Sequence, residues 1–521
     1  MKSTKMNGAN RILMNTIAQY AKTIINLFLA LYSTRLILEA LGNLDYGLYS
    51  VITGAVSMLS FVNNSLVIST QRHLSFLKGK NKIVEVRCFF ANSLFIHIIL
   101  GLLFFILLIA CTDIIIEKVL SIPTYREQAS AVVYISISAV ISLTFITSPF
   151  RAIFIARENI VFISIIDIID AVLKLLIALI LLNTTIDKLI LYGLLLVGIS
   201  FFNLLAFSIY AYICYDEFCW PKIGIVKKQH IKKITSFAGW TLFSTGCVIG
   251  RTQGLAILFN VFYGVLINTA YGIAQQISGA VMNISQAIAN AMSPQIIKAE
   301  GKGERTKMLY MSSIECLCSY TMLSIFAIPL IFKMSLILKL WLVDVPEYSV
   351  LFCRYLLIAC LFDQITGGLS IANQASGNIR NYSIIFGVMK ILTLPISYII
   401  IQVEGDLNYV LLCFVSIELI SSFSRVLFIH KSAGLIIKDF FRRIIVPIIC
   451  SSIVASIVCY KLDSYLSHSL FSFLVLLISN MFLIIFITIL LLKLDDKQRV
   501  MNIITGMIKK YIKYSKCIFF K

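Results

Sequence analysis

Charge is scarce in this chain: Asp, Glu, Lys and Arg make up 13% of its 521 residues, against roughly 25% in soluble domains. With 59% hydrophobic residues and a mean hydropathy of +0.92, a soluble domain could not hide so much apolar surface, and that class is excluded. Long polar segments are missing on one side. None of the gaps between apolar runs on the face opposite the N-terminus exceeds 18 residues, so no folded domain there carries enzyme chemistry. No G-x-x-x-x-G-K-[ST] occurs, so no nucleotide-hydrolysing domain is expected in the chain. Histidine is sparse and scattered (His73, His97, His230, His430, His468). Only His97 falls inside an apolar run, where it reads as an interhelical hydrogen-bonding residue. Most of the 13 Cys lie in apolar runs, where they act as small hydrophobes. Cys316-Leu317-Cys318 has the wrong spacing for a zinc clip. No cofactor, metal or redox function is expected.

What the chain has instead is fourteen apolar stretches of 18 to 26 residues, at 12–34, 46–70, 89–111, 129–150, 161–182, 189–213, 236–259, 268–293, 311–332, 351–373, 383–403, 407–429, 443–460 and 470–492. The gaps on the side of the N-terminus hold most of the 45 Lys and Arg, whereas the opposite gaps hold seven against eleven acidic residues. Short loops rich in Lys and Arg stay cytoplasmic, so the alternation sets both the spans and their orientation. The expected fold class is all-α: a polytopic membrane protein of about fourteen transmembrane helices, with both termini cytoplasmic. The pI of 9.4 then comes from topology, its basic loops facing anionic phospholipids, and no nucleic-acid partner is expected. The first stretch is 23 residues long with no A-x-A-like site after it, so it reads as a span and not as a cleaved signal.

The longest internal cytoplasmic gap, 214–235, carries Lys222, Lys227, Lys228, Lys232 and Lys233 and reads as a linker. It separates an N-lobe of six spans (1–213) from a C-lobe of six (236–429). Spans 13 and 14 (430–492) read as lipid-facing additions. Residues 493–521 form a basic tail whose 499–516 segment has the spacing of an amphipathic helix on the inner leaflet. The two lobes look related. Tyr46-Gly47 and Gly54-Ala55-Val56 recur as Tyr271-Gly272 and Gly279-Ala280-Val281, both 225 residues on. Six spans per half is an even number, so both halves enter the membrane the same way round. Such a parallel pseudo-repeat places a central cavity between its lobes.

Ionisable groups at bilayer depth are costly unless paired or facing water, which makes them the functional candidates. Asp170 and Lys174 are spaced for an i, i+4 salt bridge, and pairing stands beside cavity lining as their reading. The same holds for Glu418 and Arg425, two turns apart on one face. Arg354 and Glu315 lie near span ends and are expected to snorkel. Asp167 and Asp363 are candidates for the cavity or for ion coupling, with Asp170, Lys174, Glu418 and Arg425. Lys22, Arg251 and Lys390 lie well inside spans with no acid in their own helix. They are expected to form a cationic cavity, with interhelical ion pairing as the other reading. Lys22 and Arg251 sit on corresponding spans of the two halves and are expected to face each other, binding a pyrophosphate. In span 8 a polar stripe (Gln275, Asn283, Gln286, Asn290) offers sugar contacts, or interhelical hydrogen bonds.

Six plus six plus two spans, no soluble domain, and the run Thr34-Arg35-Leu36-Ile37-Leu38, Leu41-Gly42 and Asp45-Tyr46-Gly47-Leu48-Tyr49 resemble the polysaccharide-biosynthesis flippases. These are the Wzx-like O-antigen and capsule transporters of the multidrug/oligosaccharidyl-lipid/polysaccharide exporter superfamily. The resemblance implies a V-shaped fold of two lobes in the bacterial inner membrane. It also implies alternating access that carries an undecaprenyl-pyrophosphate-linked oligosaccharide from inner to outer leaflet, and partners among the glycan polymerase and glycosyltransferases of the pathway. The related lipid II flippases carry a cavity cation in the first span, where Lys22 lies. Two other functions compete. A drug or cation antiporter of the same superfamily would carry a carboxylate site in the N-lobe, where Asp167 and Asp170 lie. A membrane glycan polymerase or ligase would carry a large outer loop, and the longest here is 333–350.

Overall fold

Without water in the bilayer core, a backbone must satisfy its own polar groups, and a helix does so within one segment. The computed structural model describes residues 8–57, 59–119, 122–216, 218, 220–221, 228–342, 345–403, 405–465 and 469–492. Among these there is no strand. Helices α1 (Gly8–Ser57), α2 (Ser60–Gly79), α3 (Ile83–Ala110), α4 (Glu127–Ala156), α5 (Ile160–Asn183) and α6 (Lys188–Cys214) lead to α7 (Lys228–Tyr263). Then come α8 (Val265–Gly301), α9 (Arg305–Trp341), α10 (Ser349–Gln364), α11 (Gly367–Ser376), α12 (Ile379–Ile391) and α13 (Thr393–Val403). The last are α14 (Leu407–Ala433), α15 (Ile437–Phe440), α16 (Val446–Tyr465) and α17 (Leu470–Leu491). The chain is an all-α, multi-pass membrane protein. The proposed amphipathic helix at 499–516, Lys222 and Lys227 lie outside the described residues.

Among the described residues, ten helices are long and apolar enough to cross a membrane, or eleven if α10 and α11, bent by 42°, form one span. Three of the fourteen expected spans fall short of that apolarity, for visible reasons. All of 161–182 lies in α5, which holds Asp167, Asp170 and Lys174. Span 268–293 lies in α8 with its Gln and Asn stripe, and 46–70 is divided between α1 and the polar α2 (Asn63, Asn64, Thr70, Gln71). Polar spans are what a transport path through a membrane requires.

The first compact unit runs from Met14 to Leu242, the second begins at Phe243. The division falls inside α7, whose first turns (Ile234, Ala238) pack into the first unit's core beside Phe90, Phe150 and Phe154. Ser69 Oγ donates to the Ile234 carbonyl at 3.0 Å. Helix α4 is central in this unit and is approached closely through small residues. A Cβ on Gly101 would lie 3.1 Å from the Ser142 carbonyl, and one on Gly193 3.2 Å from Ser136 Cβ, the small-residue contact by which membrane helices pack.

In the second unit α9 is the post on which α16 and α17 hang. Pro329 has no N–H for the Ile325 carbonyl. Asn480 of α17 fills the gap, donating to Ile325 O at 2.9 Å and Ser324 O at 3.1 Å. Tyr320 and Ser452 share a hydrogen bond of 2.8 Å. The fully buried Lys333 pairs with Asp463 of α16 at 2.6 Å. The other faces of α16 and α17 remain exposed (Ile453, Phe482, Phe486). One side of each helix thus meets protein, and the other is free for lipid.

The repeat is written in the backbone turns. Gly42 (φ 75°, ψ 170°) separates the first and second spans, and Gly264 (φ 87°, ψ 177°) separates α7 from α8. Asn81 (φ 55°) ends α2 and Gly303 (φ 80°) ends α8. Both of these ends close with the same pair of bonds, Asn81 N to Lys78 O and Lys82 N to Leu77 O in one, Gly303 N to Glu300 O and Glu304 N to Ala299 O in the other. That is the pattern of a helix terminated by one left-handed residue. Both correspondences are 222 residues apart. The identities at an offset of 225 are therefore three residues out of register. In the structural register Lys22 corresponds to Ser244, and Arg251 to Leu29. Lys22 and Arg251 thus fall on corresponding helices but seven residues out of register.

Candidate functional site

The charges of the second unit meet as a chain of alternating sign. Arg251 (α7) donates to Glu418 Oε1, and Lys390 (α12) takes Glu418 Oε2. Lys390 also reaches Asp363 Oδ1 at 3.3 Å, which Arg425 Nη2 holds at 2.7 Å. Arg251, Lys390, Glu418 and Arg425 are 6%, 2%, 4% and 4% exposed, too buried for charge to persist unpaired. Phe414 lies under the Arg251 guanidinium at 4.5 Å, and Phe386 faces Lys390 at 4.9 Å and Arg425 at 4.8 Å. These ring faces add attraction for the cations.

Broken helices place these groups. The chain leaves helical geometry between α10 and α11 at Thr366 (φ −123°, ψ 18°). Arg425 Nη1 donates to the Asp363 carbonyl there, at 2.8 Å, and Thr366 shares hydrogen bonds with Ser422. Lys390 stands at the end of α12, just before the break to α13. Pro395 supplies no N–H to the Ile391 carbonyl, and Thr393 Oγ1 donates to the Lys390 carbonyl at 2.8 Å. Irregular backbone of this kind is tolerated at membrane depth where it is buried in protein or lines a cavity.

A cavity of about 270 Å³ opens on the chain, lined by Arg251, Thr252, Gln275, Asp363, Lys390 and Glu418 among others. That is near the lower limit for small-molecule sites, room for a phosphate or one sugar ring but not for a whole glycan. The chain holds three cations and two carboxylates, a formal excess of one positive charge. Among the described residues Arg251 Nε has no hydrogen-bond partner.

The first unit carries a smaller version. Asp167 is gripped in a bidentate fork by Arg151 (2.9 and 3.0 Å) and by Lys22 at 2.9 Å, again with one positive charge in excess. Asp170 pairs with Lys174 at 2.8 Å and accepts from Asn203 at 2.7 Å. At the other end of this unit Arg126 clamps Asp45 and Asp187. Burial pushes the Asp187 carboxyl up, but Arg126 and the amides of Leu189 and Ile190 outweigh it and hold it below its usual range.

Five expected site residues of the second unit thus converge, and Gln275 joins them, held to Tyr271 at 2.7 Å. Asn283, Gln286 and Asn290 do not line this cavity. They are exposed along one face of α8, with Gln286 donating to Asn290 at 3.3 Å. Lys22, Arg251 and Lys390 each have a carboxylate on a neighbouring helix, the interhelical pairing that stood beside the open cationic cavity. Arg354 reaches the Ile331 carbonyl from an exposed position. Glu315 does not snorkel. It is fully buried, and its Oε1 accepts from Ser319 at 2.7 Å, because Gly368 of α11 presses onto its turn of α9. Arg151 escapes sequence reasoning because it lies one residue beyond the apolar stretch 129–150, whereas α4 runs on to Ala156. The resemblance motif proves to be the turn into the second span. Leu36, Ile37 and Leu41 are buried, Gly42 makes the bend, Asp45 enters the Arg126 clamp, and Tyr49 packs on Tyr192 at 4.8 Å. Among the described residues no three His, Cys, Asp or Glu side chains converge as metal ligands.

The fold is similar to that of solved MOP superfamily transporters. A MOP superfamily transporter from Pyrococcus furiosus superposes with a TM-score of 0.69 at 11% identity, covering 83% of this chain and 99% of that one. An outward-facing multidrug resistance MATE family transporter of the same superfamily gives 0.70 at 11% identity over 82% and 97%. The Vibrio cholerae MATE transporter VcmN in its bent form gives 0.66 at 13% over the same shares. No protein-family model and no curated protein matches the sequence.

Proposed function

We propose that this protein is a flippase in the bacterial inner membrane, with cytoplasmic termini. It moves an undecaprenyl-pyrophosphate-linked glycan, an O-antigen, capsule or exopolysaccharide unit, from the inner to the outer leaflet by alternating access, and is not an enzyme. One observation carries the reading: the buried charge chain of the second unit has a positive excess and lines a cavity sized for a phosphate or a sugar ring. In that cavity Arg251 and Lys390 would hold the pyrophosphate, with Gln275 turned to the sugar. Lys22 and Arg151 would repel cationic substrates from the first unit. Anionic phospholipids against the basic loops, and the polymerase and glycosyltransferases of the pathway, would be its partners.

The second reading is a cation-coupled drug antiporter. MATE transporters of this fold favour it, as do the carboxylates Asp167, Asp363 and Glu418. Against it, every one of these acids is already matched by two cations. The fold is not tied to one pocket charge, for the pocket of the Pyrococcus protein is described as reversed in polarity and suggesting a different function. Proteoliposomes decide between the two. Given a labelled undecaprenyl-pyrophosphate oligosaccharide on one leaflet, the protein should equilibrate it across the bilayer and leave a fluorescent cationic drug untransported. The reverse outcome supports the antiporter.

A further inference from the structure

Glu418 spends both carboxylate oxygens on the two cations that face the cavity, so an entering anion must compete with it. The five paired groups, three cations and two carboxylates, carry one excess positive charge, which cannot neutralise a doubly charged phosphate-like group. Binding such a group between Arg251 and Lys390 would leave two negative species, ligand and Glu418, sharing two cations that are only 6% and 2% exposed. Like charges at that distance do not both persist when burial is this deep. Adding one proton to Glu418 removes the conflict. The dianion is then balanced by the original excess and the proton together, and the neutral carboxyl can donate a hydrogen bond to the ligand.

Resting on the flippase reading, we propose that Glu418 is a displaceable counter-ion, and that a divalent anionic group enters this cavity together with one proton taken up by Glu418 from water. The anion takes the Arg251 and Lys390 contacts, and no bond other than the new O–H forms or breaks. Proton and anion therefore bind with positive coupling, each raising the affinity for the other by the same factor. Other charged or titratable groups surround Glu418. Asp363 and Cys360 belong to α10, Arg425 to α14, and Tyr271 of α8 lies within reach of Arg251. Tyr382 of α12 and Glu315 of α9 lie within reach of Arg425. Of the carboxyls, Asp363 keeps Arg425 on both its side chain and its carbonyl, and Glu315 faces Ser319. Among the described residues Glu418 alone bridges the two cavity cations.

Sulfate is the probe, because it stays divalent from pH 5 to 8 and any pH dependence then belongs to the protein. Calorimetry on the purified full chain should show affinity rising as pH falls, approaching about tenfold per unit, with proton uptake seen as a heat that varies with the buffer's ionisation enthalpy. Glu418→Gln should bind sulfate with little pH dependence and no proton uptake, while Glu315→Gln keeps the wild-type slope. If Glu418→Gln does not fold, the proton uptake of the wild-type protein still tests the coupling. Sulfate binding without pH dependence or proton uptake overturns the coupling and leaves the anion site standing. No sulfate binding by any variant overturns the anion site itself, and with it the observation on which the flippase reading depends.

Discussion

Removing Glu418 should damage this protein more than removing the cation it holds. Glu418→Gln strips a carboxylate from Arg251, which has no other among the described residues, and from Lys390, which among them keeps only Asp363 at 3.3 Å. Three buried cations then face one acid. Arg251→Met leaves two cations and two acids, with Lys390 still bridging Glu418 and Asp363. Breaking a buried pair costs about 3–5 kcal/mol. Glu418→Gln belongs at the upper end of that range because two cations lose a partner, and Arg251→Met at or below the lower end. The double variant should be more stable than Glu418→Gln alone, by roughly 1–3 kcal/mol, since it deletes the stranded cation. Unfolding by sodium dodecyl sulfate in mixed micelles, monitored by circular dichroism, gives the three differences on one scale. Additive effects, or an Arg251→Met variant less stable than Glu418→Gln, would refute the alternating chain as the source of the coupling.

The two acids of α5 should behave oppositely. Asp167→Asn should cost about 3 kcal/mol or more by unbalancing Lys22 and Arg151, whereas Asp170→Asn, whose Lys174 is half-exposed, should cost below about 1 kcal/mol. Equal losses in the same unfolding titration would contradict this. Gly368→Ala would place a Cβ 2.3 Å from the Ser312 backbone carbonyl and should destabilise by about 1–3 kcal/mol. Gly254→Ala meets only the tip of Leu394 at 2.6 Å and should cost less, so equal thermal midpoints would count against the α9–α11 contact. Asn480→Leu should loosen α17 from α9, at a cost of roughly 0.6–1.7 kcal/mol, read as faster proteolysis in the α16–α17 loop with the rest of the chain intact.

Much of the fold was legible because the membrane makes one demand of every span: length in apolar residues, with charge confined to the gaps. The polar spans were legible for the opposite reason, since Asp167, Asp170 and Lys174 in one stretch signal a face turned to protein or water and not to lipid. The Asp170–Lys174 pair could be read directly, being four residues apart on one helix. The Arg251–Glu418 pair could not, because 167 residues separate the partners and only the packing of α7 against α14 decides which acid meets which cation. The repeat was visible as a tendency but read in the wrong register. Gly, Ala and Val recur by chance in spans, whereas the positive-φ turns at Gly42, Asn81, Gly264 and Gly303 mark equivalent backbone. Asn81 and Gly303 share a conformation without sharing an identity, so residue matching misses them.

The most direct measurement is the rate at which reconstituted protein flips an undecaprenyl-pyrophosphate oligosaccharide, compared between wild type, Arg251→Ala and Arg251→Lys at equal folded amounts. Loss of one charge-assisted contact to phosphate costs about 1.5–3 kcal/mol, which is a ten- to hundredfold slower rate where that contact stabilises the moving state. Arg251→Ala should show that loss, and Arg251→Lys should recover part of it, because a point charge replaces the guanidinium fork incompletely. An Arg251→Ala rate equal to the wild type would contradict the account, leaving Arg251 as a structural partner of Glu418 and nothing more.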